Sequence, residues 1–168
     1  MNEIDSSFVK ASQILPLIHI LSVIFLVCAQ VCVIFVVRAF MREQEHESKP
    51  LSAKFNEIMR YFRRYEQCFA IFLALVCISG FFLSNGSDFK FSDPMVKGVT
   101  TTLWVAAGFI VLNFAYIHYK ILSFKKAVAA EDEFEANEHL IIVVKYFIPL
   151  NVAITLICVY LGVTIGKF

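Results

Sequence analysis

The sequence predicts an all-α fold, a polytopic membrane protein built as one bundle of four transmembrane helices. Hydrophobic residues make up 59% of the 168 residues, and the mean hydropathy of +0.72 is far above that of a soluble globular chain. The apolar residues fall in four runs, and long polar segments follow the first and the third run. A chain of this length forms one domain, so we expect the four runs to pack together.

The four runs predict helices at about 14–37, 63–83, 98–118 and 139–165. A spanning helix needs about 20 residues. The charge-free part of the second run, 68–83, is shorter, so we expect Arg63 and Arg64 to extend their side chains to the interface. Continuous apolar runs, without alternation of polar residues, argue against a β-barrel.

Two details refine the helices. Apolar residues between Leu51 and Phe62 recur at helical spacing, so helix two is expected to begin well before its apolar run. Pro149 lacks the N–H that would bond the carbonyl of Lys145, so we expect a kink in helix four. The acidic segment 131–138 is interpreted as the solvated tip of a helical hairpin.

Composition also excludes several classes of function. The net charge of +1 gives no field that would attract nucleic acid. The five cysteines lie in or beside the apolar runs, whereas a quinone-coupled thiol oxidase needs cysteine pairs in exposed loops. We therefore interpret them as buried, inert thiols. No carboxylate lies within an apolar run, which argues against a proton-coupled transporter.

Each apolar run carries a few polar or small residues on one face, and these faces are expected to meet inside the bundle because lipid offers them no partner. Helix one has His19, Ser22 and Gln30, and helix two has Ser79 and Gly80. The stripes on the last two helices are Thr102, Asn113 and Tyr116 in helix three, and Asn151, Thr155, Cys158 and Gly162 in helix four.

The histidines are the candidate cofactor ligands, because neutral imidazole binds haem iron well. His19 lies five residues inside its run, about 8 Å deep, and needs a hydrogen bond or a ligand. Met95 is the obvious candidate for a second iron ligand beside it. His118 and His139 lie at the other face of the membrane and could together hold one haem. Simple interfacial histidine is the alternative for each, and His46 is expected to be solvated.

Several segments resemble the CopD-like copper-resistance membrane domains and the HemJ-type protoporphyrinogen oxidases. They are residues 15–21 (LPLIHIL), 63–69 (RRYEQCF), 78–80 (ISG) and 116–119 (YIHY), together with Lys97. The HemJ-type proteins bind haem b and pass electrons from a porphyrinogen to an acceptor. The resemblance implies that His19 is a haem ligand or a catalytic histidine, and that Lys97 assists it.

Two hypotheses from different classes follow. The first is a small redox membrane protein that binds haem b and uses a porphyrin or a quinone. The second is an accessory or scaffold subunit without a cofactor, held in a larger membrane complex or a homo-oligomer. Both place the chain in a lipid bilayer, which we expect to be a bacterial inner membrane, and neither involves nucleic acid. Whether the protein is an enzyme stays open in both.

The distribution of basic residues predicts the orientation. Ten lysines and arginines lie between the first and second apolar runs (38–67) and between the third and fourth (118–139), against four at the termini and in the remaining loop. Basic loops stay in the cytoplasm, so both termini are expected on the non-cytoplasmic side. A fluorescent protein that matures only in the cytoplasm should stay dark when it is fused to the C-terminus. Bright fluorescence would reverse the orientation.

Overall fold

The computed structural model describes residues 3–43, 51–85 and 94–165, and these ranges contain helices and one tight connection but no strand. The helices are α1 (Glu3–Glu43), α2 (Leu51–Asn85), α3 (Pro94–Ala129), α4 (Glu133–Ile142), a π-helical turn (Val143–Phe147) and α5 (Ile148–Ile165). The last three elements follow one another directly and form the fourth span. Four stretches are long and apolar enough to cross a membrane: Ile14–Arg42, Phe55–Asn85, Pro94–Ala129 and Glu133–Thr164. The predicted all-α bundle of four transmembrane helices is confirmed.

The helices extend beyond the apolar runs because their polar extensions still bury one stripe of residues. Helix α2 begins at Leu51, as its helical spacing predicted, and Phe55, Ile58 and Phe62 on this extension are buried. Helix α3 continues to Ala129, with Phe124 buried. Helix ends predicted from the apolar runs alone therefore fall short of the observed ends. An amphipathic helix continues beyond its apolar run as long as one face packs against other helices.

The connection between α3 and α4 is tight and exposed. Glu131 has a positive φ of 58°, which turns the chain. Asp132 caps α4, where its carboxylate accepts a hydrogen bond of 3.0 Å from the backbone N–H of Glu135. Side chains 131–135 are exposed, as predicted for the tip of a hairpin.

Packing is uneven along the bundle. We call the end at which α1 ends and α2 begins the basic end, and the opposite end, at which α1 begins and α5 ends, the terminal end. Within α3, no residue from Pro94 to Phe109 is buried, whereas buried residues recur from Ile110 to Ala127. The apolar core therefore lies toward the basic end, and the terminal half of α3 packs loosely.

The fourth span accommodates Pro149 through a wide turn. The N–H of Ile148 bonds the carbonyl of Val143, five residues back, which defines the π-helical turn. From α3, the Asn113 amide donates to the carbonyl of Phe147 at 3.0 Å and to Oδ1 of Asn151 at 2.8 Å. The irregularity predicted at Pro149 thus takes the form of a π turn, and Asn113 binds its last carbonyl.

The inward polar faces are confirmed for part of the predicted residues. Ser22, Gln30, Ser79, Asn113, Asn151 and Thr155 are buried in the bundle. The prediction is wrong for Thr102, Tyr116 and Gly162, which are exposed. The Thr102 hydroxyl donates to the carbonyl of Gly98 in its own helix at 2.9 Å, so it needs no partner from another helix.

The hydrogen bond between Asn113 and Asn151 can be measured directly. Alanine substitutions at these positions, singly and together, should give a coupling free energy of about 0.6–1.7 kcal/mol, the range found between membrane helices. Reversible unfolding in mixed micelles measures it. As a control, Asn113→Ala and Ser79→Ala should be additive within about 0.5 kcal/mol, because these two side chains do not meet. Full additivity of the two asparagine variants would contradict the bond.

Candidate functional site

His19 and Ser79 form a hydrogen bond that joins α1 to α2. Nδ1 of His19 lies 2.8 Å from Oγ of Ser79. The same hydroxyl donates to the carbonyl of Leu75 at 2.6 Å, in its own helix. A hydroxyl has a single proton to donate, so when Ser79 bonds the Leu75 carbonyl, Nδ1 of His19 is the donor to Oγ and Nε2 carries the lone pair.

The neighbouring glycine gives the imidazole its place. A Cβ added at Gly80 would lie 3.4 Å from Cε1 of His19, so the ring packs directly on the α2 backbone there. The ring also makes a hydrogen bond to the backbone of Val76 in α2. The sequence thus supplies a serine that orients the imidazole and a glycine that admits it, and Nε2 is the ring nitrogen that does not contact Ser79.

The terminal half of the bundle beside His19 is open, because α3 contributes no buried residue before Ile110. Contacts between helices set the relative heights. Glu66 on α2 meets His118 on α3, so Ser79, thirteen residues from Glu66, is level with about residue 105 of α3. Met95 is ten residues beyond that level, about 15 Å along the axis. The structure does not bring Met95 to His19.

Lys97 is exposed and lies near the start of α3, toward the terminal end. By the same helical rise it is about 12 Å beyond the level of His19. The structure therefore places Lys97 on the same half of the bundle as His19, without contact between them.

A second imidazole is oriented by a carboxylate. Nδ1 of His118 lies 2.7 Å from Oε1 of Glu66, and this contact joins α3 to α2. The Glu66 side chain is 19% exposed, whereas that of His118 is 54% exposed. The pairing of Glu66 with His118 was not predicted from the sequence. The sequence feature that could have predicted this pair is that Glu66 and His118 each flank a charge-free run on the side of the basic segments.

His139 lies apart from His118. Its Nε2 is 3.4 Å from Oε1 of Glu135, one turn earlier in α4, and its Nδ1 is buried without a partner. Measured from the contact between Asn113 and Asn151, His139 is seven residues nearer the basic end than His118, about 10 Å. Two axial ligands of one iron must lie on opposite sides of the same atom, and the structure does not bring these two histidines together. His46 lies outside the described residues.

Three further polar atoms in the core have no partner among the described residues: Oε1 of Gln30, the hydroxyl of Tyr65 and Nδ2 of Asn151. The amide nitrogen of Gln30 donates to the carbonyl of Leu26 at 3.2 Å, which leaves its oxygen aimed into the bundle. A buried acceptor and two buried donors are the groups that an internal water can bridge.

The interpretation of the cysteines as buried thiols is wrong. Cys28, Cys32 and Cys68 are exposed, and Cys77 and Cys158 are partly exposed. A thiol is apolar enough to face lipid, so its position in an apolar run does not specify burial. Among the described residues, no group of three or more histidine, cysteine or acidic side chains could hold a metal ion.

Comparison with known proteins gave no match, neither to a family model, nor to a curated protein, nor to a solved structure.

Proposed function

We propose that this chain is a small redox membrane protein that binds haem b, and that His19 would hold the iron through Nε2. The observation that carries the proposal is the hydrogen bond from Nδ1 of His19 to Ser79. A metal-binding histidine usually donates its other N–H to a nearby acceptor, which fixes the ring and its tautomer. Ser79 fulfils this role in the bundle.

The residues around His19 fit one axial ligand. The imidazole contacts Ser79 through Nδ1, packs on Gly80 and bonds the backbone of Val76, and Nε2 is the nitrogen that we assign to the iron. When bound, haem b would supply one-electron chemistry. The chain's own contribution is to hold the ring in place, within a loosely packed and largely apolar half of the bundle. Lys97, a cation on the same half, could pair with the porphyrin carboxylates.

We do not assign the other predicted haem ligands to the iron. Met95 lies about 15 Å from the level of His19 along the axis, so we propose His19 as the single protein ligand. His118 and His139 each contact their own glutamate, and we assign neither to the haem. By the resemblance to the HemJ-type oxidases, the electron donor would be a porphyrinogen, and we propose a quinone as a candidate for the acceptor.

The second candidate function is an accessory subunit of a membrane complex, or a homo-oligomer, without a cofactor. The loosely packed terminal half of α3 favours it. Gly98 and Gly108 have no atom within 4 Å of an added Cβ, so the backbone is open there to a closely packed partner helix. In this case the bond between His19 and Ser79 would serve only to join two helices.

We further propose a bacterial inner membrane as the location, with both termini on the non-cytoplasmic side. The excess of basic residues at the basic end supports this orientation. It places His19 and Lys97 in the non-cytoplasmic half of the bilayer.

The visible spectrum of the detergent-purified protein separates the two functions. Wild type should show a Soret band, and His19→Ala should lose it while the protein still inserts, because insertion depends on overall apolarity. His118→Ala and His139→Ala are matched controls and should keep the band. If wild type shows no band after incubation with haem, the accessory role is the better explanation. If His19→Gln retains the spectrum, His19 is not the ligand.

Ser79→Ala should weaken haem binding about 10- to 100-fold, the usual effect of losing a group that orients a metal ligand. Titration of the apoprotein with haem measures this affinity. Ser84→Ala is the control, because Ser84 also donates to its own helix, to the carbonyl of Phe81 at 2.9 Å, and lies farther toward the terminal end. Equal affinities for the two variants would remove Ser79 from the site.

A further inference from the structure

We propose that a groove between α2 and α3 at the basic end binds the headgroup of an anionic phospholipid. The groove encloses about 500 Å³, and its lining includes three cations, Arg60, Arg63 and Lys125. It is independent of the His19 site, which lies near the other end of the same helices.

The charges in the groove are unbalanced. No carboxylate lines it. In the part of the chain that the structure describes, none of the three cations forms a salt bridge. Arginine binds phosphate oxygens through two parallel N–H bonds, and lysine adds a compact charge, so this set suits a phosphate group. The Asn56 amide in the same lining is a further donor.

The depth of the groove favours a lipid over a soluble anion. Arg63 lies five residues before the charge-free run that begins at Cys68, about 8 Å along the helix. This is about the depth of the headgroup layer outside the hydrocarbon core. The remaining lining is apolar, from Met59, Val128 and Ala129. Basic pockets between transmembrane helices with such walls are the known sites of acidic headgroups.

The base of the groove is held by aromatic packing. The buried rings of Phe55 on α2 and Phe124 on α3 meet edge to face, with their centroids 5.1 Å apart. Phe69 and Phe114 stack nearer the middle of the same two helices, at 4.6 Å. These contacts fix the spacing of α2 and α3, so the backbone positions of the three cations are set before a lipid binds.

Adjacent basic residues provide a matched test. Arg63 and Lys125 line the groove, whereas their neighbours Arg64 and Lys126 do not. The double variant R63Q/K125Q should bind an anionic phospholipid about 30-fold more weakly, since each basic residue near the membrane surface contributes about a factor of five. R64Q/K126Q has the same net charge as R63Q/K125Q, but it should bind the lipid with an affinity within about threefold of that of wild type. Native mass spectrometry of the detergent-purified protein, titrated with phosphatidylglycerol, measures both affinities.

Equal losses in the two double variants would overturn the site, because they would show a general effect of charge. On wild type, phosphatidylcholine should bind at least tenfold more weakly than phosphatidylglycerol, and equal binding would also overturn it. This comparison needs no variant, so the proposal stays testable if R63Q/K125Q does not fold. Inorganic phosphate at millimolar concentration should not displace the lipid. Full displacement would identify a site for soluble anions instead.

Discussion

Within the hydrocarbon core, a polar group must find its partner inside the protein, and this constraint organises the bundle. Two contacts between side chains satisfy it across helices: His19 with Ser79 joins α1 to α2, and Asn113 with Asn151 joins α3 to α5. A third contact, Glu66 with His118, joins α2 to α3 at the basic boundary of the apolar runs. Together they connect all four spans in sequence, and each fixes the height of one helix against the next.

Lipid tails are as apolar as leucine side chains, so apolar contacts alone give only a small difference in free energy between one register of two membrane helices and another. The three polar contacts can supply that choice, because a slip of one turn would separate the two partners of each contact. The apolar core then fills the space that these contacts define. Its residues are concentrated between the levels of Asn113 and the basic end, where Phe55, Phe62 and Phe124 are almost fully buried.

Much of the fold could be predicted from the sequence, because apolar run length specifies spans and helical spacing specifies the α2 extension from Leu51. The inward face of Ser22 and Gln30 was also predictable, since two polar groups on one stripe must turn away from lipid. The orientation of Thr102 on α3 was not predictable in this way, because its hydroxyl bonds a carbonyl of its own helix and needs no partner from another helix.

Pairing between helices was the harder part of the candidate site. His19 was identifiable as an imidazole within an apolar run, but its pairing with Ser79 depends on the height and rotation of two helices, which a single sequence does not specify. The contact between Glu66 and His118 was hard to predict for the same reason, because it also depends on the height and rotation of two helices. The exposure of Cys28 and Cys32 shows a further limit, since lipid and protein interior are similar environments for a thiol.

The loose packing near the terminal end gives the molecule two unlike halves. Toward the basic end, the helices are held by aromatic and aliphatic contacts that leave little freedom. Toward the terminal end, α3 has no buried residue before Ile110. There, the hydrogen bond between His19 and Ser79 joins α1 to α2. A bulky apolar group or a partner helix can be accommodated there without displacing any core residue.

The π-helical turn sets the rotation of the last helix. The buried face of the fourth span runs from Ala136 to Thr155, nineteen residues apart. In a regular α-helix, nineteen residues would rotate Thr155 about 100° away from Ala136, whereas eighteen complete about five full turns. The wide turn absorbs the one extra residue. Deleting a single residue from Val143–Phe147 would therefore leave both halves of the face aligned in an ordinary α-helix, whereas a deletion elsewhere in the span would turn Asn151 or Ala136 toward lipid.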